Sequence, residues 1–159
     1  MNIIITLPPH LIEKIIKGEK QIEIRKTIPK QFNIDKDVVF VVTKGTNKVS
    51  FFFTIRRFYS TNDVEIYWHF NKQYLGIHID FMQRYWQVDS ILHFWEIAYV
   101  QPLLYPIDLI EDLHCQRAPQ SFVYCDVDHS QFLTSRGHWC SRINSEERCV
   151  LFSGKKAVR

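Results

Sequence analysis

The first apolar run, Asn2 to Leu7, is rich in isoleucine and stops at Pro8 and Pro9. Such a run predicts a short strand, and the prolines both end it and open a helix, because proline is tolerated in a first helical turn. Leu11, Ile12, Ile15 and Ile16 recur at helical spacing and make one apolar face, with Glu13, Lys14 and Lys17 turned outward. Gly18 supplies the stop. The pattern then becomes strict alternation: a strand here buries Ile22 and Ile24 on one face and sends Glu23 and Arg25 to the other. Lys20, at the turn into that strand, is long enough to reach either face.

Asp37 to Thr43 predicts a further strand, and Lys44-Gly45-Thr46-Asn47-Lys48 the hairpin turn after it. Val49 to Phe58 is a long strand with Phe51, Phe53 and Ile55 on one face and Phe52 and Thr54 on the other, ending in Arg56-Arg57-Phe58-Tyr59. From Ser60 to Gln87 the chain turns acidic and aromatic. Two short helices are expected, near 61–72 and 78–86, broken at Gly76, with Ser60 or Thr61 as the first N-cap. Ile91 to Val100 reads as a strand carrying Glu96, with Trp95 in the core. Pro102 and Pro106 bracket a turn, Ile107 to Leu113 is one helical turn or an extended edge, and Ser121 to Cys125 makes a final strand. After Asp126 the pattern loosens into a polar, basic stretch with His129, Arg136, His138, Trp139, Arg142 and Arg148. An edge strand at Val150-Leu151-Phe152 and a frayed end follow.

A chain of 159 residues, 46% hydrophobic and 14% aromatic, is long and apolar enough to bury a core as one domain. No apolar run approaches the length of a membrane span and the first residues lack the features of a signal peptide, so a cytoplasmic location is expected. Four cysteines, at 115, 125, 140 and 149, are then free thiols. A metal would have to use Cys125, His129, His138, Cys140 and Cys149, whose spacings match no standard zinc module, so neither metal nor cofactor is expected. The net charge of +3 is unevenly spread: residues 1–60 carry +6, residues 61–128 carry −7 and residues 129–159 carry +4. Two basic ends flank an acidic middle, which suits a basic face able to bind a polyanion.

Two groups of residues bear on chemistry. Lys20, Glu23 and Arg25 are either a salt bridge on a solvated strand or the lining of a pocket. In a roofed pocket, burial lowers a lysine pKa and an arginine holds a phosphate or carboxylate. Arg56, Arg57 and Tyr59 are either a basic strand end whose aromatics pack inward or a place where a base and its phosphate bind.

The pattern Gly18-x-Lys20-x-x-Glu23-x-Arg25, after a short strand and an apolar helix, resembles the signature of the ASCH family, a branch of the PUA-like β-barrels. A second segment, Arg117-Ala118-Pro119-Gln120-Ser121-Phe122-Val123-Tyr124, resembles the Pro-x-Ser-aromatic stretch that closes many members. The resemblance covers residues 1–125 and implies an α+β fold, a PUA-like mixed β-barrel flanked by short helices, followed by a basic extension over 126–159. It implies that the insertion after Ser60 lies across the barrel opening and that Asp80 takes an acidic position found there in some members. It also implies RNA or a modified nucleotide as ligand at the barrel mouth, for which the sequence supplies Lys20, Arg25, Arg56, Arg57, Tyr59 and Ser121 as candidates.

Other members are similar in fold but are hydrolases, either ribonucleases or amidohydrolases acting on N4-acetylcytidine. Lys20 matches their lysine, whereas Glu23 stands where the amidohydrolase type has threonine. What that leaves is Lys20 as base or electrostatic stabiliser, Glu23 as its charge partner and Arg25 as the holder of a developing anion, without a metal. A third class is a phage or mobile-element regulator that binds a host protein or ribonucleoprotein, for which the aromatic insertion and the extension leave room.

Overall fold

β1 (Asn2–Leu7) is buried on both faces and lies inside the sheet: Ile3, Ile4 and Ile5 are fully enclosed. The computed structural model describes residues 1–87 and 89–142. After β1 come α1 (Pro9–Ile16), β2 (Ile22–Arg25), β3 (Val39–Thr43), β4 (Lys48–Thr61), α2 (Val64–Leu75), α3 (Ile79–Tyr85), β5 (Leu92–Asp108), β6 (Phe122–Cys125), a 3-10 turn at His129–Gln131 and β7 (His138–Trp139). The strands form one mixed sheet in the order β2-β5-β4-β3-β1-β6, with β7 paired to β5. Among the described residues only β1 and β3 run parallel; the other pairs are antiparallel.

The sheet separates its apolar side chains by alternation. Ile3, Ile5, Val39, Phe51, Phe53, Ile55 and Trp95 pack with Ile12 and Ile15 of α1 into one core. Ile4, Phe40, Val42 and Phe52 face a second core with Leu109 and Leu113. A third core joins α2 and α3 to Ile22, Ile24 and Phe94. Along α1 the expected apolar face holds for Ile12 and Ile15, but Ile16 is 40% exposed, since the helix ends there and Gly18, at φ +79°, turns the chain away. The amides of Gly18 and Glu19 cap the last carbonyls, those of Ile15 and Lys14, at 3.0 and 2.9 Å.

Four expectations need correction. Among the described residues the sheet does not close into a barrel: β2 and β6 end the strand order, and a side chain, not a backbone ladder, spans the gap between them, with Arg25 Nη1 donating to Ser121 O at 3.1 Å. Ser121 to Cys125 is not the final strand. β2 covers only His93 to Glu96 of the long β5, and β7 pairs with β5 further along, at Tyr99 and Val100. Pro102 makes no turn; it lies within β5 opposite Phe51, beside a register shift in β4 between Val49 and Phe51, where the missing N–H is tolerated. Ser60 and Thr61 remain in β4, and the N-cap of α2 is Asp63, whose amide donates to Thr61 Oγ1 at 2.8 Å. The edge strand expected at 150–152, Arg148 and Cys149 lie outside the described residues.

Cys115, Cys125 and Cys140 are free thiols. Cys125 and Cys140 belong to opposite cores, and among the described residues no cluster of His, Cys, Asp and Glu could hold a metal ion. No helix among them is long and apolar enough to cross a membrane.

Candidate functional site

Four rungs across β2, β5 and β4 organise the charged residues: Ile22–Glu96–Arg57, Glu23–Trp95–Phe58, Ile24–Phe94–Tyr59 and Arg25–His93–Ser60. Successive side chains point to opposite faces, so Glu23 and Arg25 share the Trp95 side, while Glu96, Arg57 and Tyr59 share the α2 side. Two charged clusters result, back to back through the sheet.

The first is the one that the sequence singled out. Lys20 is 1% exposed and its ammonium donates to Ile22 O and Leu75 O, each at 2.7 Å, with Glu23 at 3.7 Å, an ion-pair contact longer than a hydrogen bond. Burial lowers its pKa below the ordinary lysine value, and the Glu23 carboxylate opposes that shift. Glu23 Oε1 pairs with Arg25 Nε at 3.4 Å, and the guanidinium also donates to Ser121 O and Thr6 O and lies 5.7 Å from the Trp95 ring. The two family-like segments, far apart in sequence, therefore meet through Arg25 and Ser121. Thr27 Oγ1 and Ser121 Oγ complete that meeting at 3.5 Å. Glu23 Oε2, Arg25 Nε and Trp95 Nε1 are buried without a hydrogen-bond partner.

Gly76, the αL cap of α2, presses on this cluster. A Cβ there would sit 2.8 Å from Lys20 Cβ, on a backbone at φ +66°. Gly76→Ala combines both penalties and is expected to cost about 2 kcal/mol, lowering Tm by roughly 5 °C in a thermal melt.

Asp80 does not join the cluster. It is exposed in the first turn of α3 and pairs with His78 at 3.3 Å. The residue that α3 brings toward Glu23 and Arg25 is Tyr85, whose hydroxyl pKa is raised by burial, with Arg25 opposing and Glu23 reinforcing the shift. Lys26 Nζ covers its ring at 4.6 Å.

The second cluster centres on Glu96, which is 1% exposed. A register shift between Ile55 and Arg57 places two consecutive arginines against one carboxylate. Arg56 Nη1 lies at 2.7 Å, Arg57 Nε at 2.5 Å and Arg57 Nη2 at 3.2 Å, while Arg142 Nη1 adds an ion pair at 3.0 Å and Tyr67 OH donates at 2.9 Å. Burial by itself would raise the Glu96 carboxyl; the Arg57 hydrogen bond, the Arg142 charge and the Tyr67 hydrogen bond outweigh it and hold the pKa below the ordinary value. Among the described residues, Arg57 and Arg142 share this one carboxylate as their acidic partner.

Aromatic rings adjoin this array. Tyr59 stacks on Tyr67 with ring centroids 5.1 Å apart, Tyr67 stacks on Phe94 at 3.9 Å, and the Arg57 guanidinium lies 5.1 Å from the Tyr59 ring. Arg57, Tyr59, Thr61, Asp63, Phe70 and Arg142 line a cleft of about 310 Å³ between the end of β4 and α2. Phe70 is the most exposed of these rings.

Sequence reasoning missed Arg142, for which only the basic balance of the last residues gave any hint. Its placement is indirect: Gln21 Oε1 accepts the Arg142 amide at 3.1 Å, Gln21 Nε2 donates to Ser141 Oγ at 2.8 Å, and Asn71 Oδ1 accepts from Arg142 Nε and Nη2 at 3.2 and 2.8 Å.

No family model and no curated protein sequence matches the chain. Solved structures do. ASCH from Zymomonas mobilis aligns over 96% of this chain and 94% of its own, with TM-score 0.66 and 19% identity. A serine-to-alanine mutant of that protein gives TM-score 0.65 at 18% identity over the same shares, and a tyrosine-to-phenylalanine mutant gives 0.64 at 21% identity over 96% of each chain. The chain has the fold of an ASCH domain.

Proposed function

We propose that this ASCH-fold chain binds single-stranded RNA or a nucleotide, and that the ligand enters the cleft of Arg57, Tyr59 and Arg142 rather than the buried Lys20 cluster. The observation that carries the reading is the fixed guanidinium array on Glu96, placed directly beside exposed aromatic rings. Single-stranded nucleic acid is held by the same pairing, cations on the phosphates and aromatic faces under the bases. Prior fixation matters energetically, since side chains already held by Glu96 and Asn71 lose little freedom on binding.

Lys20, Glu23, Arg25 and Ser121 then have a different part. They lock β2 to α2 and bridge the open edge of the sheet, holding the rung that carries Glu96. A second reading, a metal-independent hydrolase, draws support from one observation, the unpartnered Glu23 Oε2, Arg25 Nε and Trp95 Nε1 beside a lysine of lowered pKa.

Fluorescence anisotropy with a labelled, unstructured RNA tests the leading reading. Tyr59→Ala is expected to weaken binding about tenfold, the scale of one lost base stack. Unchanged affinity in that variant refutes the assignment of the cleft, and RNA shortened by the unmodified protein favours the hydrolase.

A further inference from the structure

One cleft residue fits poorly with binding a polyanion through phosphate alone. Asp63 lines the same cleft as Arg57 and Arg142, yet the two arginines are turned to Glu96 and Asn71, and no hydrogen bond or ion pair engages the Asp63 carboxylate among the described residues. It is the N-cap of α2 but its side chain accepts no capping hydrogen bond. Its own amide donates to Thr61 Oγ1 at 2.8 Å, which occupies one of the two acceptor lone pairs of that hydroxyl and leaves its proton to be donated. Beside the phosphate-binding cations the cleft thus offers an acceptor with two oxygens, a hydroxyl donor and the faces of Tyr59 and Phe70.

We infer that the cleft selects guanine, with Asp63 as the residue that reads it; the inference rests on the nucleotide-binding reading above. Guanine presents two adjacent donors, N1–H and the N2 amino group, next to the acceptor O6. A carboxylate takes both donors at once, and the Thr61 hydroxyl is a donor suited to O6. The other bases do not match this set. Adenine and cytosine place a ring-nitrogen acceptor next to their amino group, against a carboxylate oxygen, and uracil has a single N–H between two carbonyls. A carboxylate at the cleft favours a base edge with two adjacent donors and disfavours one that sets an acceptor against it.

The test is isothermal titration of the full chain with GMP, AMP, CMP and UMP in turn, repeated with Asp63→Asn. Asparagine serves equally well as an N-cap, so the helix start is preserved. GMP is expected to bind roughly tenfold or more tightly than the other three, and Asp63→Asn to remove that preference, the discrimination typical of one bidentate contact to a base. Equal affinity for all four, or a GMP preference that survives in Asp63→Asn, overturns the inference while leaving the cleft as a nucleotide site. Failure of all four nucleotides and of single-stranded RNA to bind overturns both.

Discussion

Replacing Lys20 with alanine is expected to lower the unfolding free energy by roughly 3–5 kcal/mol, read as a large drop in the urea midpoint. The side chain is among the largest fully buried ones in the protein. Its ammonium ties two elements together through Ile22 O of β2 and Leu75 O of α2, and alanine leaves both carbonyls and Glu23 without it. Its methylenes also fill the space against Gly76, which becomes a cavity. A lysine serving only a ligand would be removed with little effect on stability. Lys20→Met keeps most of the volume and isolates the charge. The folded-state pKa of Lys20 lies below the ordinary 10.5. Across the window between the two values the unfolded chain binds more protons, so the wild type gains stability as pH rises through it. The stability of wild type relative to Lys20→Met should therefore increase with pH on the alkaline side.

Glu96→Ala should come next in size, at about 2–4 kcal/mol. Removing the buried carboxylate leaves Arg57 and Arg142 without their shared counter-charge and the Tyr67 hydroxyl without its acceptor. The figure is held below the upper range for buried pairs because the Arg57 side chain is 47% exposed and water screens part of the repulsion. The pH dependence has a definite sign. Glu96 has a depressed pKa, so its contribution is complete above the ordinary glutamate value of 4.5 and is lost as pH falls through the lower folded value. The gap between wild type and Glu96→Ala should stay constant at neutral pH and narrow in acid. A gap that is the same at both ends would mean that lost packing, not charge, accounts for the cost.

The parts of the fold that were legible in the sequence are those with a strong period or a terminator. The isoleucines of β1, the helical spacing before Gly18, the alternation from Ile22 to Arg25 and the break at Gly76 each have one dominant local solution. Elements set by tertiary pairing were not legible. Pro102 stays in β5 because β4 shifts register opposite it, and β7 forms because β2 is too short to cover the edge of β5. The candidate site divides in the same way. Arg57 and Tyr59 share a face by alternation, as a strand requires, but the bulge that turns Arg56 onto the same carboxylate is visible only in the pairing. Glu96 and Arg142 lie far apart in the chain and carry no motif, and their meeting depends on Gln21 and Asn71. Asp80, the acidic position implied by the family resemblance, is exposed in the first turn of α3, whereas the last turn carries Tyr85 toward Glu23 and Arg25; no motif fixes the register of that insertion.

The most direct measurement of the central claim is the salt dependence of single-stranded RNA binding, compared between the wild type and Arg57→Ala. If the guanidinium array holds phosphates, log affinity falls linearly with log salt in the wild type, and losing one phosphate contact makes the slope shallower by about 0.7 while weakening binding to all sequences alike. Affinity and slope that are the same in both proteins, or no binding even at low salt, would contradict the account.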